Sequence, residues 1–211
     1  MGRKGTSYIA AASVGAIGVA TIAVAMVYRG LVRGWLGVDL GIGRSTRPLG
    51  PIVRKIDAPR DIVFDAAAAP YGPRPPKAAR HHVEVLQRSP SMVIAAHRTI
   101  VGREVAITVE GVVFERPDRI EFRLVRGPVP HVVEEFTFEE VEGGTELTYS
   151  GELGTDLWML GRAWGDRVAA VWEDAVGRSL EQIRDAAVRR ARAQASRLSP
   201  EPGSPSTSEG D

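Results

Sequence analysis

Apolar and polar residues alternate with a period of two through the middle of the chain, a pattern typical of half-buried β-strands. The alternating runs are short and are separated by Gly, Pro, Ser and Asp residues, which predicts an antiparallel meander with tight turns. The predicted strands cover residues 52–58, 82–88, 91–100, 104–115, 119–127, 131–141 and 145–153.

Two other segments place apolar residues at the three-to-four spacing of an amphipathic helix. The shorter covers residues 59–72, starting at Pro59 and stopped by Gly72-Pro73. The longer covers about residues 156–195. The order of elements predicts an α+β fold in which an antiparallel sheet curves around the long C-terminal helix. A cavity remains between them if the sheet bends enough.

This order, and three stretches of sequence, resemble the START-like (SRPBCC) superfamily of polyketide cyclase/dehydrase-like and lipid-transfer proteins. The stretches are IDAPRDIVFD at residues 56–65, ERPDRIEFRLVRGP at 115–128 and FTFEEVEGGTELTYS at 136–150. The resemblance implies a helix-grip fold over residues 51–195, with about seven strands. It implies no shared catalytic motif, because it rests on order and spacing.

Strand alternation assigns each residue to the apolar or the water side of the sheet. On the fifth predicted strand Ile120, Phe122 and Leu124 share the apolar side. On the fourth, the same argument puts Val105, Ile107, Val109 and Val113 inside, and Thr108 and Glu110 on the water side. On the sixth and seventh strands, the inner side carries Val132, Glu134, Phe136, Phe138, Leu147 and Tyr149.

Glu134 is the one glutamate of the sixth and seventh strands that falls on the apolar side. A carboxyl group there must be paired, hydrogen-bonded or protonated. It either reaches solvent or an arginine, or holds the polar end of a ligand, or acts as a base. The residues predicted to line the ligand site are Ile107, Val109, Phe122, Leu124, Glu134, Phe136, Tyr149, Trp164, Val168 and Trp172. The two tryptophans are equally consistent with ordinary core packing.

Other site chemistries find little support in the sequence. The chain has no cysteine, and none of its 4 histidines has the spacing of a metal site. We therefore predict no metal and no cofactor, and we assign no catalytic residue. An enzyme of the cyclase/dehydrase type remains an alternative, in which Glu134 works with Tyr149 or with His131.

The N-terminus contains an uncharged run at residues 8–28, flanked by a tyrosine at each end. As a helix it would measure roughly 31 Å, which matches the hydrocarbon thickness of a bilayer. The favoured interpretation is a single transmembrane anchor. The alternatives are a cleaved signal peptide, with Arg3 and Lys4 before it and a small-residue cleavage site at residues 23–25, or a buried helix.

Charge is unevenly distributed along the chain. Residues 1–50 carry 6 basic groups and 1 acid, residues 51–195 carry 20 and 22, and residues 196–211 carry 1 and 3. The main domain is therefore not predicted to bind nucleic acid. Lys and Arg counts beside the uncharged run favour a cytoplasmic main domain. Composition predicts a linker at residues 41–51 and a disordered tail at 196–211.

These observations predict three units: an anchor with its linker at residues 1–50, a ligand-binding domain at 51–195 and the tail. The favoured function is a membrane-anchored protein that binds a lipid or other hydrophobic small molecule between sheet and helix. Besides the enzyme named above, an accessory subunit of a membrane protein complex is the other alternative.

Overall fold

The computed structural model describes residues 23–34 and 39–198 of the 211-residue chain. These described residues contain three α-helices: α1 over residues 23–32, α2 over Arg60–Ala68 and α3 over Trp158–Leu198. Short 3-10 turns lie at Ala69–Tyr71 and Ala79–His81. The strands are β1 Ser45–Ile56, β2 Val83–Arg88, β3 Met92–Val101, β4 Glu104–Glu115, β5 Arg119–Arg126, β6 His131–Val141 and β7 Gly144–Thr155.

The seven strands form one antiparallel sheet in the order β1-β7-β6-β5-β4-β3-β2. Strands β2 to β7 follow one another as the predicted meander, and β1 closes the other edge by pairing with β7. Helix α3 packs on α2 and on β1 and β7. The predicted α+β helix-grip arrangement of a seven-stranded sheet and a long C-terminal helix is confirmed.

The core lies between the concave face of the sheet and helices α2 and α3. On β5, β6 and β7 the alternation predicts the inner residues correctly, since Ile120, Val132, Phe138, Leu147 and Tyr149 are all buried. Phe64 of α2 packs edge to face on Phe138, with ring centroids 5.3 Å apart. Leu180 of α3 is fully buried among them.

The face assignment of β4 is wrong. Glu110 and Val112 are 4% and 0% exposed, whereas Val105 is 44% exposed. The even-numbered residues therefore face the core, and Ile107 and Val109 lie on the opposite face of the sheet. The physical reason is that β4 carries apolar residues on both faces, so the hydrophobic pattern does not fix which side is buried.

The linker prediction is also wrong in part, because β1 begins at Ser45 inside the predicted 41–51 linker. Ser45 pairs with Thr155, and the ladder continues to Leu49, where the register shifts before Ile52. Gly50 sits in this irregularity with φ +74°, and its N–H donates to Glu173 of α3 at 2.9 Å. Glycine and proline here mark a bulge within a strand, not the end of one.

The predicted membrane span at residues 8–28 falls mostly outside the described residues, as does the tail beyond residue 198. Residues 23–28 are helical and belong to α1. Within residues 23–34 and 39–198, none of the helices is both long enough and apolar enough to span a bilayer.

Replacing Leu180 by alanine tests the packing of α3 on the sheet. The buried side chain leaves a cavity, so the free energy of unfolding should fall by about 2–5 kcal/mol in urea titrations. The neighbouring exposed Ser179→Ala should change it by less than about 0.5 kcal/mol. Equal, small losses in both variants would contradict the observed seating of α3.

Candidate functional site

Glu134 lies in the middle of β6, on the concave face, and is 7% exposed. Its Oε2 accepts a hydrogen bond from the Tyr149 hydroxyl of β7 at 2.7 Å. The same oxygen accepts one from Nε1 of Trp172 on α3, also at 2.7 Å. The carboxyl group is thus held at the point where sheet and helix meet, by donors from both.

Gly151 makes room for this side chain. It pairs with Glu134 across the β6–β7 ladder. A Cβ atom at position 151 would lie 2.7 Å from the Glu134 Cβ, closer than such atoms approach in proteins. The glycine therefore allows β7 to pass close to the backbone and Cβ of Glu134.

A second polar cluster lies on the same concave face, on β3 and β4. Glu110 accepts a hydrogen bond from the Thr108 hydroxyl at 2.7 Å, and its other oxygen is 2.8 Å from Nδ1 of His97. Nε2 of His97 is 3.0 Å from the Tyr71 hydroxyl. Tyrosine, imidazole and carboxylate thus form a continuous buried chain.

The two carboxyl groups have opposite pKa shifts. Burial, and then the negative charge of Glu110, raise the pKa of Glu134 to about 7 despite the hydrogen bonds from Tyr149 and Trp172. Burial also acts to raise the pKa of Glu110, but the charge and hydrogen bond of His97, with the Thr108 hydrogen bond, lower it overall.

His97 is shifted in the direction that matches Glu110. Burial acts to lower the pKa of His97, but the charge and hydrogen bond of Glu110, together with the charge of Glu134, outweigh it, so the pKa is raised. The His97–Glu110 pair is therefore an ion pair over a wider pH range than an isolated histidine would allow. Near neutral pH the interior contains this ion pair and a carboxyl group, Glu134, that exchanges its proton.

Aromatic rings surround the two clusters. Phe136 packs edge to face on Phe122 and on Tyr149, at centroid distances of 5.2 and 5.9 Å. Tyr71 packs on Phe122 at 6.2 Å, which joins the two clusters through one ring. The two polar clusters are consequently enclosed by packed apolar side chains, and small-molecule sites are commonly lined by residues of the same types.

Most of the predicted lining residues lie together on this inner side. Phe122, Phe136, Tyr149 and Val168 are buried in the core, and Leu124, Trp164 and Trp172 pack against it. Trp164 donates its Nε1–H to the Pro128 carbonyl at 2.8 Å. Ile107 and Val109 are the exceptions, because they lie on the other face of β4.

His131 does not join Glu134. Its Nε2 is 2.8 Å from Glu152, and its ring is half-buried at the start of β6. Of the two partners that the sequence suggested for Glu134, the structure therefore brings only Tyr149 into contact with it.

The Tyr71–His97–Glu110 chain is absent from the sequence-based prediction. The turn at Gly102 fixes the register of β3 on β4, which sets Ala95 opposite Glu110 and His97 opposite Thr108. Counting back from that turn would place His97 and Glu110 as diagonal neighbours on one face. Over the described ranges, no three His, Asp or Glu residues converge closely enough to hold a metal ion.

No family model matches the chain, and no curated protein matches it. Solved structures do. TTHA0849 from Thermus thermophilus has a TM-score of 0.51 at 14% identity and covers 70% of this chain and 97% of its own. The Zhui aromatase/cyclase from Streptomyces sp. R1128 has a TM-score of 0.50 at 16% sequence identity, and the match covers 72% of this chain and 96% of the Zhui chain. Ara h 8.0201 has a TM-score of 0.52 at 11% sequence identity, and the match covers 70% of this chain and 99% of the Ara h 8.0201 chain. At these identities the likeness shows the helix-grip fold alone.

The raised pKa of Glu134 makes stability depend on pH in a specific direction. Between its ordinary pKa of 4.5 and about 7, the folded chain binds more protons at Glu134 than the unfolded chain. The free energy of unfolding should therefore fall as pH rises through this window, by on the order of 3 kcal/mol.

Glu134→Gln keeps the acceptor for Tyr149 and Trp172 but cannot ionise. Urea titrations at about pH 4 and about pH 8 should show the wild type losing stability relative to this variant. Subtracting the variant removes the similar trend that His97 contributes. Parallel pH profiles of the two proteins would show that Glu134 titrates normally.

Proposed function

We propose that this chain binds a hydrophobic small molecule between the sheet and α3, with an oxygen of the ligand at Glu134. The observation that carries the proposal is a buried carboxyl group held by donors from β7 and α3 inside an aromatic enclosure. A purely structural core would be expected to place an apolar residue there, since a buried carboxyl group is costly.

Charge indicates the chemical class of the ligand. The interior already holds the Glu110 carboxylate, and Glu134 adds a second negative charge when it ionises. An anionic ligand would face repulsion from both. A neutral molecule with a carbonyl or hydroxyl oxygen instead accepts a hydrogen bond from protonated Glu134, or from Tyr149 or Trp172 once Glu134 turns away.

A membrane is the proposed source of the ligand. The supporting feature is the uncharged run at residues 8–28, which we propose as a single-pass anchor with the main domain in the cytoplasm. Anchoring would keep the enclosure close to lipids and to other molecules dissolved in the bilayer.

Acid–base catalysis is a second candidate function, and a specific observation favours it. Two carboxyl groups in one enclosure have pKa values shifted apart, with Glu110 ionised beside His97 and Glu134 near 7. In enzymes, two carboxyl groups whose pKa values are shifted apart in this way commonly serve as the general acid and the general base. The Zhui structure, described as an aromatase/cyclase, has the same fold. The reaction considered is proton abstraction next to a carbonyl group, with Glu134 as the base.

Binding can be tested with Prodan, a neutral aromatic ketone whose emission shifts to the blue in apolar surroundings. At about pH 6 the full chain in detergent should bind it, and Glu134→Gln should weaken binding about tenfold. The control is Glu135→Gln on the opposite face of β6, which should leave the affinity unchanged. Equal affinity in all three proteins would place the probe elsewhere.

Catalysis can be tested by following exchange of the acidic C–H protons of 2-tetralone in heavy water by NMR. The wild type should accelerate the exchange, and the exchange rate catalysed by Glu134→Gln should be about 100-fold lower than that of the wild type. Glu135→Gln serves again as the control. Prodan binding without any acceleration of exchange would leave a binding protein and exclude this enzymatic role.

A further inference from the structure

Large apolar side chains are exposed at the start of α3. Trp158, Met159 and Leu160 are 63%, 83% and 80% exposed. The first turn of a helix usually carries polar residues that satisfy its free N–H groups. Three consecutive large apolar residues at that position are therefore not explained by the needs of the helix.

The neighbouring loop extends this surface. The backbone N–H of Leu157 donates to the Ile42 carbonyl at 2.9 Å, and that of Trp158 to the Gly43 carbonyl at 3.0 Å. Leu40 and Ile42 on this loop are 55% and 52% exposed. Leu40, Ile42 and residues 157–160 thus form one continuous surface, here called the apolar rim.

A buried carboxylate holds the rim in shape. Asp156 accepts hydrogen bonds from the N–H groups of Leu40 and Gly41 at 2.6 and 2.8 Å, and from Arg44 Nε at 2.8 Å. Leu157 and Trp158 have φ values of 70° and 50°, which bulky residues rarely adopt. The apolar side chains are therefore presented by a fixed backbone, not by a loose loop.

The N-terminal part of the chain arrives beside the rim. Tyr28 of α1 packs edge to face on Trp164, with centroids 6.0 Å apart, and Trp164 lies one helical turn after Leu160. Arg29 and Arg33 hold the far end of α1 to Glu104 of β4 at 3.1 and 2.8 Å. In the sequence, the uncharged residues 8–22 directly precede α1.

We propose that the apolar rim docks on the surface of a lipid bilayer, with Met159 and Leu160 among the acyl chains and Trp158 at the interface. Exposed Val24 and Met26 of α1, and the uncharged run before them, favour a bilayer over a protein partner. Exposed Arg162, one turn after Trp158, can reach phosphate groups. This inference deepens the proposed function and rests on it for the source of the ligand.

The absence of cysteine from the sequence makes the depth of the rim measurable. Met159→Cys is labelled with the fluorophore NBD, and the full chain is reconstituted into vesicles of phosphatidylcholine with some phosphatidylglycerol. The control is Leu86→Cys, which is 53% exposed on the edge strand β2. Leu86 lies at the register shift between the Val85–Ala95 and Gln87–Ile94 pairs, away from the β3–β4 turn that α1 contacts.

The NBD label at position 159 should emit at a shorter wavelength in vesicles than in detergent-free buffer. Lipids carrying a doxyl group on the acyl chain should quench the label at 159 at least threefold more than the label at 86. Equal quenching at both positions overturns the proposal. Protection at 159 without vesicles, together with a dimeric mass in sedimentation, also overturns it and assigns the rim to a second copy of the chain.

A variant with charged residues in the apolar rim tests docking separately from ligand binding. The double variant Met159→Glu/Leu160→Glu should take up Prodan from vesicles at least fivefold more slowly, with its affinity in detergent unchanged. If the wild type does not bind Prodan at all, the proposed function is refuted. The NBD quenching at position 159 still tests the docking of the rim in that case, because it does not depend on Prodan. Unchanged uptake in the double variant would show that the rim has no part in ligand transfer and overturn the inference.

Discussion

The hydrogen bonds of Tyr149 and Trp172 to a single oxygen of Glu134 join the long helix to the concave face of the sheet. A buried carboxyl group must be neutralised or well bonded, so this contact constrains everything around it. Gly151 must lack a side chain because a Cβ atom there would meet the Cα and Cβ of Glu134, and α3 must approach at the turn that carries Trp172. An apolar residue at 134 would remove the need for a donor from α3, but position 151 would still have to be glycine, because the Cβ of residue 134 would remain in place.

The carboxylate of Glu110 contributes to the raised pKa of Glu134. Glu110 has a counter-charge in His97, while Glu134 has only neutral donors. The proton available near neutral pH therefore resides on Glu134, and the charge of Glu110 strengthens that preference. The interior holds one fixed ion pair and one group that changes protonation, an arrangement suited to orienting a polar group or to moving a proton.

The fold and half of the site follow from local sequence patterns. Strands β5 to β7 have one apolar and one polar side, so parity alone identifies Glu134 and Tyr149 as inner residues. Strand β4 has valines on both sides, and parity then assigns Ile107 and Val109 to the inner face and Glu110 to the water side, the reverse of their positions. The partner that makes a buried Glu110 tolerable, His97, is on another strand, and single-strand periodicity contains no information about it.

The α1 segment shows a further limit of local patterns. An uncharged run predicts a membrane-spanning helix but cannot predict that its end packs on a folded domain. Val32 is 5% exposed, and the Gly34 carbonyl accepts a hydrogen bond from Arg126 Nε at 2.5 Å. The segment from α1 to Gly34 therefore lies between the start of α3 and the end of the sheet where β4 begins and β5 ends.

The contacts of α1 differ in strength from those of the interior. Its ion pairs involve side chains of Arg29 and Arg33 that are 63% and 42% exposed, and exposed pairs contribute little. These ion pairs therefore contribute less to the fold than the buried hydrogen bonds that Glu134 accepts from Tyr149 and Trp172. The attachment of α1 to the domain depends more on the burial of Val32 and on the contact between Tyr28 and Trp164 than on its arginines.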